Sequence, residues 1–207
     1  MSATIRSGYF TPLLFLLVAA ATAILGSYFF MLQDFSADTT LLFTRYTARV
    51  SFMFFLPVFA LGALHQLYPT DLSRALMGRR RQLGLAFAAA HTVHLVGIIA
   101  NYLAIDAWFS ADDTAAIVIY VFIGLMAVTS NSFSVRQLKG VWRVLHKVGL
   151  YGIFIGFFVT YLGRVQGYSQ SQLDPSLMDP FWVYVVLLIL VTSAWLLRIA
   201  AFWQKRG

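Results

Sequence analysis

The residues of this chain best equipped for chemistry are its four histidines, since it contains neither cysteine nor glutamate. Two of them, His91 and His94, lie in "RRRQLGLAFAAAHTVHL", where three arginines precede an apolar run. Three residues apart on a helix, they point to nearly the same face, one turn from each other. Counted from Arg81 at 1.5 Å per residue, they sit about 15 and 20 Å into an apolar layer about 30 Å thick. An ionisable side chain at that depth is costly, faces the bundle interior and has a partner there. The third candidate, His146 in "GVWRVLHKVGLYG", lies about 10 Å beyond Lys139 on a helix, and Arg143 and Lys147 beside it suggest interfacial depth. His65, in "ALHQLYPTDL", reads as a solvated side chain at a helix end.

Such a set suits some metals and not others. Zinc takes about four nitrogen, sulfur or oxygen ligands, and no cysteine, glutamate or intramembrane aspartate is available to supply them. Heme iron needs one or two axial imidazoles, a flat slot between helices and cations near its propionates. Ala88, Ala89 and Ala90 are small enough to let a macrocycle approach the histidine-bearing segment. Three arginines are candidates to face an anionic group. Arg45 and Arg49 are four apart on one helix face, and Arg164 ends the fifth apolar segment on the same side. Heme propionates, a quinone carbonyl or an acidic partner would suit them, and snorkelling to lipid headgroups is the competing explanation.

The elements that position these groups follow from composition. The chain is 60% hydrophobic and 11% charged, with a mean hydropathy of +0.77, whereas a soluble protein is about 25% charged. Six apolar segments, 10–32, 43–65, 82–105, 114–135, 144–163 and 181–203, are each long enough to span a bilayer. In lipid, backbone groups must be satisfied within the segment, and the sequence lacks the alternation of a membrane barrel. The expectation is an all-α integral membrane bundle of six transmembrane helices, one domain over residues 1–207, with the first segment retained because no small-residue cleavage site follows it.

Charge orients the bundle. With the N-terminus inside, 12 of the 15 basic residues lie on the inner side, and seven of the eight acids lie outside. The basic residues alone set the rule, and both termini are expected on the inner, cytoplasmic side. Topology and attraction to anionic membrane lipid account for the net charge of +7, so no nucleic-acid partner is implied. Dinucleotide, P-loop and Ser/His/Asp motifs are absent from the sequence. The run "GLYGIFIG" reads as small-residue helix packing, and Trp142, Tyr161, Trp182, Trp195 and Trp203 read as interfacial belt residues.

Six spans, "RRxLGL" opening the third with His94 fourteen residues after Arg80, and "WxxLH" (Trp142 to His146) opening the fifth together resemble the ferric reductase-like transmembrane domain family. Within it the similarity is greatest to the branch of heme-binding membrane subunits of periplasmic methionine sulfoxide reductase systems, to which "RYTARVSFMFFLPVFALGAL" in the second span is also similar. The resemblance covers about residues 43–162. It implies heme b between spans 3 and 5. It also implies a redox partner, with electrons passing from a cytoplasmic flavin donor or from quinol to an outer acceptor. By position, His94 matches the span 3 ligand and His146 the first span 5 ligand, while His91 has no counterpart in the motif. The family's second span 5 histidine falls at Val159 or Thr160 here, so no outer heme is implied. One heme with His91 or His94 opposite His146, or a decayed site, are the readings this leaves. From another class, a non-redox membrane scaffold with structural histidines is the alternative.

The charge map makes a direct prediction. Reporter fusions are expected to place Met1, the Arg79–Arg81 loop, the Arg136–Lys147 segment and Gly207 in the cytoplasm. A periplasmic Gly207 overturns the assigned orientation.

Overall fold

A computed structural model describes residues 7–32 and 34–205, with side chains described over 13–28 and 34–205. Met1, Arg6, Arg206 and Gly207 lie outside the described residues. Among those described, the chain is helical with no strand. Seven helices run in order: α1 Ser7–Leu32, α2 Ala37–Leu67, α3 Asp71–Gly78, α4 Arg80–Ala104, α5 Thr114–Val128, α6 Ser132–Gln166 and α7 Phe181–Gln204. Five stretches are long and apolar enough to cross a membrane: α2, α4, Ala111–Val128, α6 and Pro175–Gln204. In α1 the described apolar stretch, Leu13–Tyr28, is shorter. This is the architecture of a multi-pass membrane protein.

The helix ends differ from the apolar segments where polar side chains intervene. Helix α2 starts before the apolar run because Ser36 and Thr39 cap it reciprocally. The Ser36 N–H donates to Thr39 Oγ1 (2.9 Å), and the Thr39 N–H donates to Ser36 Oγ (3.3 Å). The expected segment 114–135 breaks near its end, at residues 129–131. The Thr129 and Ser130 hydroxyls turn back onto the Leu125 and Met126 carbonyls, and Asn131 Oδ1 caps α6 by accepting the Ser134 N–H (2.8 Å). Helix α6 therefore begins well before the expected segment 144–163, and it contains a break at Lys139, whose φ of 42° is left-handed. The short α3 is one that hydropathy alone does not reveal. Its capping box joins Thr70 and Ser73.

The chain divides into two compact units. The first comprises Met1–Phe55 and Arg81–Thr114, and the second Leu56–Arg80 and Ala115–Gly207. In the first unit the ring of Phe43 on α2 lies against Gly26 of α1 and Gly97 of α4. A Cβ on Gly97 would stand 2.8 Å from Phe43 Cδ1 and 2.9 Å from Thr44 Oγ1. Between helices in lipid there is no hydrophobic driving force, so close approach at small residues and interhelical hydrogen bonds supply the association. In the second unit, α5 lies on the glycines of α6. A Cβ on Gly149 would meet Met126 Sδ at 2.7 Å and one on Gly156 would meet Ile119 Cδ1 at 2.9 Å, while Gly152 has open space. Two of the three glycines in "GLYGIFIG" thus have the packing role expected of them. Phe59 stacks on Phe154 (centroids 4.8 Å, planes 7° apart) and meets the Tyr151 ring edge-on at 5.7 Å. Helix α6 also packs along α7, with Phe154 and Trp195 stacked at 6.3 Å. The long loop before α7 is organised by Asp179, whose main-chain oxygen accepts from Tyr168 Oη (3.0 Å) and whose carboxylate accepts from Tyr184 Oη (2.9 Å).

These approaches predict opposite responses to the same substitution. Gly97→Ala and Gly26→Ala are each expected to cost about 1–3 kcal/mol by overpacking against Phe43. Gly152→Ala is expected to be neutral or stabilising by about 0.5–1 kcal/mol, through helix propensity. Denaturation of the detergent-solubilised protein measures the difference, and equal effects at all three positions contradict the packing described.

Candidate functional site

Within the first unit, α2 and α4 run antiparallel along a polar seam. On α2, Thr40, Thr44, Thr47 and Ser51 are spaced four, three and four residues apart, which puts them on one helix face. Each hydroxyl is bonded to its own helix: Thr40 Oγ1 to Ser36 O (2.8 Å), Thr44 Oγ1 to Thr40 O (2.7 Å), Thr47 Oγ1 to Phe43 O (2.8 Å) and Ser51 Oγ to Ala48 O (2.7 Å). Those local bonds consume the hydroxyl hydrogens and leave the oxygens as acceptors toward α4.

Three polar side chains of α4 use that seam in order. Ser51 Oγ has donated to Ala48, so it accepts from His91 Nδ1–H at 2.9 Å. His94 Nδ1 stands 3.0 Å from the main-chain oxygen of Thr44, and since a carbonyl only accepts, Nδ1 carries the proton. Asn101 Nδ2 donates to Thr40 Oγ1 (3.0 Å) and Ala37 O (3.2 Å). The pairs 51/91, 44/94 and 40/101 fall in antiparallel register, so the seam fixes the rotation of α4 against α2.

The two histidines are thereby distinguished. His91 is 8% exposed, with the Phe87 ring 5.1 Å away. His94 is less deeply covered, and its ring centroid is 5.0 Å from that of His91. With the proton on Nδ1 in each ring, Nε2 carries the lone pair, and among the described residues His94 Nε2 has no partner. Ala88, Ala89 and Ala90 are all buried, so the small-residue face of α4 is used for packing.

In the second unit His146 is held through Nδ1 as well. Its Nδ1–H donates to the Trp142 carbonyl one turn earlier on α6 (3.1 Å), and its ring stacks on Trp142 with centroids 4.0 Å apart. On the Nε2 side stand Ser130 Oγ at 3.4 Å, which gives its hydrogen to Met126 O at 2.6 Å, and the Met126 carbonyl itself, so main-chain acceptors serve both ring nitrogens of His146. Trp142 is more than a belt residue. Its Nε1–H donates to Thr129 O (3.0 Å), which ties the start of α6 to the end of α5 and holds the stacked imidazole. His65, read from sequence as solvated, is bonded through Nδ1 to Ser73 Oγ (2.8 Å) and anchors α3.

Of the three arginines expected on the outer side, Arg45 and Arg49 are half-buried on α2, and the Arg49 guanidinium lies 4.8 Å from the Tyr46 ring centroid. Arg164 belongs to the second unit and is exposed at the end of α6. Among the described residues no three His, Cys, Asp or Glu side chains gather. An ion here would rest on one or two imidazoles and on ligands it brings with it. Sequence reasoning found the histidines and missed Ser51 and Thr44, although the 4-3-4 spacing of hydroxyl residues inside an apolar span signalled a polar face.

A double-mutant cycle tests the seam. Ser51→Ala and His91→Phe are expected to couple by about 1 kcal/mol, the worth of a buried hydrogen bond. Ser51→Ala and His94→Phe should be additive, since His94 uses a main-chain oxygen. Zero coupling in the first cycle removes the Ser51–His91 bond from the account. Compared with known proteins, the chain matches no family model, no curated protein and no solved structure.

Proposed function

We propose that this chain is a six-span electron-transfer subunit of the ferric reductase-like class, with both termini cytoplasmic in a bacterial-type inner membrane. Heme b would be held by His94 and His146 as axial ligands. It would take electrons from a cytoplasmic flavin donor or from quinol and deliver them to an outer-side redox partner. When bound, the heme supplies a one-electron Fe(III)/Fe(II) couple. The protein's own residues set the imidazoles that would hold it.

One observation carries this reading. His94 donates its Nδ1–H to the Thr44 carbonyl, leaving Nε2 as a directed lone pair, and His146 Nδ1 is likewise held on the Trp142 carbonyl. Metal-ligating histidines use this arrangement, in which the outer hydrogen bond fixes the tautomer and ring orientation and raises ligand basicity. His91 uses a serine hydroxyl and is more deeply covered, which suits it to support its neighbour. Arg45, Arg49 and Arg164 remain candidates for an anionic group on the outer side. The non-redox scaffold reading draws on the same seam, because Ser51 and Thr44 satisfy both span 3 histidines through protein partners.

Spectra of the purified protein, oxidised and dithionite-reduced, separate the two. A six-coordinate low-spin b-type heme near one per chain is expected, with His94→Ala and His146→Ala each losing heme or yielding a five-coordinate species. His91→Ala should keep the low-spin spectrum with at most a shifted potential. A colourless protein made with ample heme favours the scaffold. Loss of the low-spin signal in His91→Ala alone reassigns the ligand.

A further inference from the structure

Two guanidinium groups of the second unit are fixed on adjacent residues of α2. Arg80 Nε donates to the Val58 carbonyl (3.3 Å), and Arg198 Nη1 donates to the Phe59 carbonyl (2.8 Å). Arg198 Nε donates to Tyr151 Oη (3.2 Å), and its Cζ stands 4.6 Å from the Phe59 ring centroid and 4.9 Å from that of Tyr151. Both arginines are half-buried, and they are close enough for their like charges to oppose each other. Among the described residues neither is paired with a carboxylate. The exposed pair Arg74–Asp71 (2.7 Å) shows the contrast. A guanidinium has five N–H donors. Arg80 commits one and Arg198 two, so most of the donors on this double cation are uncommitted.

We propose that Arg80 and Arg198 form a binding site for the phosphate of an anionic phospholipid. Two half-buried cations held side by side are unfavourable without a counter-ion, and a phosphodiester supplies both the charge and the planar pair of oxygens that guanidinium forks match. The position favours a lipid over a soluble anion. Arg80 opens α4, and Arg198 lies six residues before the end of α7, about 9 Å along the helix, a depth that a long basic side chain spans toward headgroups. The charge map puts both helix ends on the cytoplasmic side, where basic pockets between helices bind acidic headgroups. The proposal rests on the membrane architecture and is independent of heme.

The full chain is placed in nanodiscs of phosphatidylcholine alone or with phosphatidylglycerol, and thermal unfolding and lipid retention by native mass spectrometry are read. Wild type is expected to unfold at higher temperature with phosphatidylglycerol and to retain it through delipidation. Arg80→Gln and Arg198→Gln should retain it about tenfold less, while Arg74→Gln, at an exposed ion pair, should match wild type. Equal stability of wild type in the two lipids overturns the proposal without any variant. Equal stabilisation by inorganic phosphate in phosphatidylcholine discs assigns the site to a free anion and overturns the lipid. Loss of heme absorbance with unchanged lipid retention in Arg80→Gln assigns that arginine to a propionate and also overturns it.

Discussion

A donor in a hydrocarbon layer has no water to fall back on, so its partner must be built into the protein. In the first unit that constraint falls on the N–H groups of His91, His94 and Asn101, and α2 meets it with the Ser51 and Thr40 hydroxyls for His91 and Asn101 and the Thr44 main-chain oxygen for His94. The hydroxyls work because they are already spent on their own helix: each threonine or serine bonds a carbonyl one turn back and turns its oxygen outward as a pure acceptor. The arrangement fixes helix rotation, histidine tautomer and the direction of each Nε2 lone pair together. Slipping α4 by one residue along α2 would strand all three donors.

The second unit solves a related problem with cations. The carbonyls of Val58 and Phe59 receive guanidinium N–H groups from two different helices, and Gln66 Nε2 donates to Ala201 O at the end of α7. Helix α2 thus offers hydroxyl and main-chain acceptors together along its first half and main-chain acceptors along its second. Pro57 lies inside it between the two regimes. Its missing N–H leaves the Met53 carbonyl, one turn earlier, without its helical donor.

Five long apolar helices were legible in the sequence because hydropathy over about 20 residues is a strong signal. The shared face of His91 and His94 followed from the helical repeat alone. The break between α5 and α6 was not legible, because "TSNS" is short beside the apolar residues that flank it and its effect depends on hydroxyls folding back on the helix. The partners of the histidines were only half legible. The 4-3-4 hydroxyl spacing marks a polar face, but pairing Ser51 with His91 needs the register of two helices forty residues apart. The role of Arg198 was hidden altogether, since a basic residue near a helix end looks the same to a charge rule whether it snorkels or bonds the carbonyl of another helix.

The Phe43 ring, with a glycine of α1 on one side and a glycine of α4 on the other, makes positions 26, 43 and 97 a single shared volume. The aromatic ring occupies space that two absent side chains vacate, so neither neighbouring helix can be redesigned alone. Residue 43 immediately precedes Thr44, whose carbonyl orients His94. The size of one side chain, three helices wide in its consequences, therefore sets how closely the backbone acceptor and the imidazole approach. Selection on that volume would register as covariation among three positions that carry no chemistry of their own.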